Sequence, residues 1–310
     1  MARLRYSTPA AHAVPMTEDS ASVDWPAELM MHAQQRLRHE QTVRREACKV
    51  CGADAELFDV LDFARTCDVQ AGAPPASGIP VYYRRCTHCR FIGTNFFDGL
   101  TRRQWTSWVY NDAYYSSIDP GYREIRPRAN AGVVDAMLND HTSDWRGLDY
   151  GGGNGETARY LQAMGYDYAC HGPFGRSTAL ESSRGSYNFC SAFEVAEHTP
   201  DPRAFIADVV HWCTPGRLAV LIGTHVHDDA VSDAGRLAWW YAAPRNGHVS
   251  LHSRQSLQLL AAQQGLDCLS LSERTHLLTR GYSPSEARWF LLKGKLRGRV
   301  RRLLRRQVSA

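Results

Sequence analysis

Four of the nine cysteines fall as two pairs, Cys48-x-x-Cys51 and Cys86-x-x-Cys89, with 34 residues between them. Each pair offers two thiolates on a tight turn, and two such knuckles together complete a set that holds zinc at roughly 2.3 Å. Lys49, Gly52, His88 and Arg90 sit in or beside the knuckles, and cations near a thiol favour its thiolate form. The spacer exceeds the roughly 15–20 residues usual between paired knuckles, so four buried or redox-active thiols without metal stand as the second reading. Closed four-thiolate sites are as a rule structural rather than catalytic. The expectation is a zinc-ribbon-like module with Cys48, Cys51, Cys86 and Cys89 as its ligands. The other five cysteines are scattered singly, and an odd total with no secretory leader argues against a disulfide framework.

A second group of residues suits the binding of a small molecule. Asp149 opens the run DYGGGNG over 149–155, with Gly151, Gly153 and Gly155 at alternate positions. Glycines let the backbone pass close to a ligand, and free N–H groups at a helix start bind polar ligand atoms. Taken alone, the run fits a dinucleotide fingerprint, a methyl-donor site or a plain tight turn. Asp149 itself could be a strand-end carboxylate that caps the next helix. Four histidines hold suggestive positions further on: His198, His225, His227 and His248. An imidazole titrates near neutrality and is the usual general base. Trp239, Trp240 and Tyr241 read equally as an acceptor lid or a core patch.

These residues need elements to position them. Residues 1–25 are poor in large apolar side chains and predict disorder. From Pro26 to Glu46 helix formers dominate, and 71–80 is a loop by composition. An aromatic-rich stretch over 91–122 forms the shoulder to the next domain. From Gly132 the pattern alternates: helix 133–138, strand then glycine turn 147–155, helix 156–164, strands 167–171 and 188–193, helix 203–213, strand 217–224 and helix 253–265. Ser253 predicts an N-cap for the last helix and Gly265 its end. Strands alternating with helices predict right-handed βαβ units in a parallel sheet.

In this setting the run FEVAEHTPDP (193–202) follows one strand and TPGRLAVLIGT (214–224) carries the next. Together with LDYGGGNG (148–155) they make the chain resemble the class I S-adenosylmethionine-dependent methyltransferases, in the family that writes LDxGxGxG, FEVxEHxxDP and PGGxLxxxT. The resemblance covers about 130–280. With the cysteine pairs ahead of it, the layout is similar to bacterial methyltransferases with an N-terminal zinc-binding module, some of which methylate deoxysugars on a nucleotide carrier. It implies a Rossmann-like sheet with S-adenosylmethionine beside Asp149, Gly151, Gly153 and Gly155. It also places Phe193, Glu194, Glu197 and His198 near the sulfonium and the acceptor, with His248 and His225 as further catalytic candidates. One position departs from the family. The second strand commonly ends in an acid for the ribose hydroxyls, and here HGPF (171–174) puts Gly172 there. Asp167 or Glu181 are the candidate substitutes. The stretch 173–187 is too short for a full helix–strand–helix, so the third strand should be short or missing.

Charge and length bound what remains. No run approaches the roughly 18 apolar residues of a membrane span, and the N-terminus lacks the apolar core of a signal peptide, so a cytoplasmic enzyme is expected. The net charge of +4 conceals an asymmetry: residues 288–310 hold nine Lys/Arg and no acid, and without those nine, 27 basic side chains face 32 acidic ones. A −5 body thus carries a basic tail whose apolar residues recur at helical spacing, interrupted by Gly294 and Gly298. Such a helix docks on its own body, on an anionic membrane surface or on nucleic acid. The expected division is a disordered lead (1–25), helix and cysteine module (26–125), methyltransferase domain (126–285) and basic helix (286–310). The expected function is methyl transfer to a small or carrier-linked acceptor, with RNA base methylation or a catalytically degenerate scaffold as alternatives.

Overall fold

The computed structural model describes residues 25–67, 75–138, 142–172, 175, 177–231 and 236–308. Apart from Trp25, the expected disordered lead lies outside the described residues. Among them no helix is long and apolar enough to cross a membrane.

Two sheets organise the chain. In order, the elements are α1 (Ala27–Glu40), β1 (Arg45–Ala47), β2 (Asp54–Asp62), β3 (Pro80–Cys86), β4 (Ile92–Gly93), α2 (Arg102–Trp108), α3 (Ile125–Leu138), β5 (Arg146–Tyr150), α4 (Glu156–Ala163), β6 (Asp167–His171), β7 (Phe189–Phe193), α5 (Pro202–Trp212), β8 (Leu218–Gly223), β9 (Ser250–Leu251), α6 (Arg254–Gln263), β10 (Asp267–Ser270), β11 (His276–Arg280) and α7 (Pro284–Val308).

The larger sheet runs β10-β11-β8-β7-β5-β6. Its β6–β5–β7–β8 part is parallel, with Leu148 paired to Ala169 on one side and Cys190 on the other; β11 and β10 add antiparallel. Every residue of β8, LAVLIG, is buried, as expected for a central strand covered on both faces. Its side chains alternate. Ala219 and Leu221 meet the apolar stripes of α3, α4 and α7, whereas Leu218, Val220 and Ile222 meet α5 and α6. The result is a three-layer Rossmann-like α/β sandwich. No strand lies beyond β6 among the described residues, and between β6 and β7 they contain one short 3-10 turn, Glu181–Ser183. The β10–β11 hairpin gave no sequence signal strong enough to predict. Ser253 caps α6 through a capping box with Ser256.

The smaller sheet, β1-β2-β3-β4-β9, is antiparallel. Its last strand comes from far along the chain, so the cysteine-bearing part and residues 237–251 share one core: Leu29, Phe63, Trp105 and Trp108 pack with Leu237, Tyr241 and Leu251.

Helix α7 runs unbroken through Gly294 and Gly298, where the sequence predicts interruption. The reason is packing at the first of these. A Cβ at Gly294 would stand 2.5 Å from Met137 Cγ, so the glycine lets α7 approach α3. Ala287 and Leu291 are buried in that contact, while Trp289 and Leu296 face outward.

Candidate active site and four-cysteine centre

The two knuckles close on each other. Cys48 and Cys89 Sγ atoms lie 3.6 Å apart and those of Cys51 and Cys86 3.4 Å, and all four fall within 4.8 Å of one another. A tetrahedral ion with bonds of about 2.3 Å sets sulfur separations near 3.8 Å. The residue after each second cysteine has positive φ, Gly52 at 79° and Arg90 at 61°, which turns backbone N–H groups inward. Those of Val50, His88 and Cys89 approach sulfur at 3.3–3.4 Å. Hydrogen bonding from Cys89, aided by backbone N–H groups, pulls the Cys48 thiol down to about 5. Lys49 turns away to Asp98 and the Thr94 carbonyl, so backbone dipoles, not this cation, face the sulfurs. Four thiolates in this arrangement fit zinc.

A cavity of about 470 Å³ opens beyond the carboxyl ends of β5, β6 and β7, the usual ligand position in open α/β sheets. Asp149, Gly151, Gly152, Gly153 and Gly172 form one wall; Phe193, Glu194 and His198 form another. Gly151, Gly153 and Gly155 have φ of 76°, 54° and 79°, a left-handed run that side chains resist. A Cβ on Gly151 would strike Val195, and one on Gly153 would strike the Tyr122 hydroxyl. Asp149 is buried, its Oδ1 accepts from Ser191 Oγ at 3.0 Å, and its Oδ2 makes no hydrogen bond of ordinary geometry. Burial pushes its carboxyl up to about 7. Gly172 leaves room: a Cβ there would meet backbone at 3.8 Å, ordinary contact. Neither proposed substitute for the missing acid lines the cavity. Asp167 stands at the opposite end of β6, beside Arg146, and Glu181 pairs with Arg184.

Past β7, Glu194 takes φ of 54°, a conformation costing a non-glycine residue about 1–3 kcal/mol. This turns Glu194 toward Arg126, 3.3 Å away. Glu197, His198 and His248 then come together, one ligand atom of each within 4.8 Å of the others. Glu197 is fully buried; Tyr241 donates to its Oε1, and Oε2 makes no hydrogen bond of ordinary geometry. Burial and the neighbouring Glu194 push it up to about 8. Burial holds His198 well below the ordinary histidine value and His248 down to about 4. His225 lies outside the cavity wall, its ring against Trp240 and Tyr241. His227 binds the Arg90 carbonyl at 2.8 Å. Trp239 and Tyr241 are core residues, and Trp240 is exposed.

These shifts give the fold a pH optimum. His225, His248, His252 and His276 titrate near 4 when folded and near 6.5 when unfolded. Between those values the unfolded chain binds more protons, so stability falls as pH drops. Asp149 and Glu197 act oppositely, because folding keeps them protonated to about 7 and 8, and their contribution declines as pH rises above the carboxylate range. Each group changes stability by about 1.4 kcal/mol per pH unit inside its window. Four histidines outweigh two acids below pH 6.5, and above it the acids dominate once zinc has taken the low-pKa Cys48 thiol out of the balance. Thermal melting of the ligand-free protein is therefore expected to peak near pH 6.5. A melting temperature that still climbs from pH 6.5 to 8 would contradict it.

Residues 122–271 match the family model of a methyltransferase domain. Over that span the chain is similar to a methyltransferase domain. Solved structures similar to it include a mitomycin 7-O-methyltransferase, 14% identical over 59% of this chain and 62% of that one (TM-score 0.38). Magnesium protoporphyrin IX methyltransferase from Synechocystis PCC 6803 is 12% identical over 60% of this chain and 95% of that one (TM-score 0.37). Human N-acetylserotonin methyltransferase is 12% identical over 51% and 52% of the two chains (TM-score 0.36). The chain thus spans about three fifths of the first and half of the third. No curated protein matches it.

The methyltransferase cavity also has a wall that sequence reasoning missed. Tyr110, Tyr114, Tyr115 and Tyr122 line it with Arg126. Tyr110 Oη lies 3.2 Å from His198 Nδ1, and Arg126 pairs with Asp119 and Glu194. The signal was the density of aromatics over 105–122, which predicts a shoulder between two parts but not which side chains turn toward the methyltransferase glycines.

Proposed function

We propose that the protein transfers a methyl group to a small or carrier-linked acceptor, a sugar of a surface polysaccharide being the acceptor class that suits it. The observation that carries this is one cavity with the glycine turn at one end and His198 at the other, Glu197 and His248 lying buried behind it. In this reading Asp149, Gly151, Gly153, Gly155, Gly172, Phe193 and Glu194 hold S-adenosylmethionine. When bound, it supplies an electrophilic methyl on a sulfonium. The chain's own task is alignment for an in-line displacement. Asp149, braced by Ser191 and Thr157, anchors the glycine turn at the donor end; Glu194 and Arg126 fix the wall beside it. His198, uncharged at neutral pH, takes the acceptor's proton, with Glu197 and His248 behind it. Zinc on the four cysteines is structural, in a zinc-ribbon-like module over 26–125 ahead of the methyltransferase domain at 126–285. The enzyme is cytoplasmic, and the basic helix of 286–310 offers contact to an anionic surface, membrane or nucleic acid.

Calorimetric titration with S-adenosylmethionine tests the reading; no binding at millimolar donor would reject it. Gly172→Asp sharpens the test, since the added carboxylate meets open space and two ribose hydroxyls. A charge-assisted hydrogen bond contributes about 1.5–3 kcal/mol, so donor affinity is expected to rise about 10- to 100-fold. A degenerate scaffold would show no gain.

A further inference from the structure

We propose that Glu197, His198 and His248 form a second metal centre, an open two-histidine, one-carboxylate site for a divalent first-row ion at the acceptor end of the cavity. One ligand atom of each residue already lies within 4.8 Å of the others. Bonds of about 2.1 Å place such atoms roughly 3.0–3.4 Å apart, so an ion would draw the cluster together by about 1–2 Å.

The surroundings are those that metal ligands need. A ligating imidazole donates its other N–H to a carbonyl or carboxylate, and a ligating carboxylate is itself hydrogen-bonded. His248 Nδ1 lies 2.7 Å from the Tyr241 carbonyl, which fixes the proton there and leaves Nε2 its lone pair. His198 is held by the Gly247 backbone and by Tyr110 Oη, 3.2 Å from its Nδ1. Gly247, at φ 84°, permits that approach: a Cβ on it would stand 3.2 Å from the same nitrogen. Tyr241 donates to Glu197 Oε1, while the buried Oε2 makes no hydrogen bond of ordinary geometry and the carboxyl lies beside Thr224 and Glu194. The same tyrosine thus braces two of the three ligands, one through its hydroxyl and one through its carbonyl.

The charge balance also suits a cation. Two neutral imidazole nitrogens and one carboxylate oxygen supply a single negative charge on ligation, which suits a divalent ion. Arg126 faces the cluster as the nearest opposing charge, and Asp119 and Glu194 neutralise it. Glu197 and His248 are buried behind His198, which borders the cavity, so an acceptor would approach the ion from the side of His198. The ion's role rests on the methyl-transfer reading. With the ion bound, His198 is a ligand and no longer the base: an acceptor hydroxyl on the ion would lose its proton to water in the open cavity, its oxygen would bond the methyl carbon, and the carbon–sulfur bond would break with its electron pair left on sulfur.

The test uses the full chain with zinc on its four cysteines, dialysed against Zn²⁺ or Co²⁺ and assayed for bound metal. Wild type is expected to hold two equivalents, the second giving a cobalt spectrum without thiolate charge transfer. Glu197→Gln and His248→Ala should hold one, with at least a 10-fold loss of affinity for the second. Retention of the four-cysteine ion reports that the variant is folded. Where His248→Ala loses that too, His198→Ala on the cavity wall takes its place. One equivalent in wild type, or two in the variants, overturns the proposal. Donor titration on the same samples separates the two readings: donor binding with one metal rejects only the second centre, and two metals without donor binding reject only methyl transfer.

Discussion

Cys86→Ser, or chelation of the ion from the four-cysteine centre, is expected to melt far more than two turns of chain. The knuckles are stitched to the methyltransferase domain through their backbone. Arg203 Nε and Gln263 Nε2 both donate to the Val50 carbonyl, at 2.7 and 2.8 Å. Ser253 Oγ donates to the Cys89 carbonyl at 2.6 Å, and His227 Nε2 meets the Arg90 carbonyl at 2.8 Å. Ser253 is at the same time the N-cap of α6, so a displaced knuckle also exposes a helix end. Cys48, Val50, Cys86 and Cys89 share one core with Phe205, Val209 and Leu260. Structural zinc contributes about 10–16 kcal/mol in small modules, against a total stability of about 5–15 kcal/mol for a domain. The expected result is a melting temperature lower by more than about 10 °C, since 1 kcal/mol moves a domain of this size by about 2–4 °C. Metal content and melting measured on one preparation check it. A metal-free protein that melts as the loaded one does would support the reading of four plain buried thiols.

The sequence carried the donor end of the cavity further than the acceptor end, and the cause is range. Gly151, Gly153 and Gly155 with Asp149 act through local backbone conformation, so their role is written in consecutive positions. Ser253 with Ser256 is local in the same sense. That the third strand would be short or missing was legible because chain length alone limits what 173–187 can hold. What was not legible depends on contacts between distant segments. β9 pairs with β4 across more than 150 residues, and that pairing brings the Pro244–His248 loop under α2. Tyr110 and Arg126 face the cavity because the aromatic stretch folds back over the glycine turn. Gly294 and Gly298 predict a break in α7 by propensity, yet contact with α3 overrides it. Conversely His225, two residues beyond β8, is placed by sequence at the strand end where ligands bind, but its ring turns onto Trp240 and Tyr241.

The histidines can be ranked by one experiment. His198→Ala is expected to lower kcat by about 10²–10⁴, the usual contribution of a positioned proton acceptor, while donor affinity stays unchanged. His225→Ala should leave kcat near the wild-type value, because His225 borders aromatic rings rather than the cavity. Steady-state rates of both variants, with donor binding measured alongside, decide between them; the reverse order would move the acceptor site toward β8. The pH profile adds a sharper criterion. Burial holds His198 well below the ordinary histidine value, so the acid limb of the rate profile should lie below the usual histidine range. A base this weak gains little driving force from an ordinary hydroxyl, whose proton is many pK units less acidic. The acceptor must therefore be acidified before transfer, by a neighbouring carbonyl with His198 as base, or by an ion held at Glu197, His198 and His248 with water taking the proton. An ion predicts that added chelator shifts the basic limb of the profile, whereas a carbonyl predicts no change.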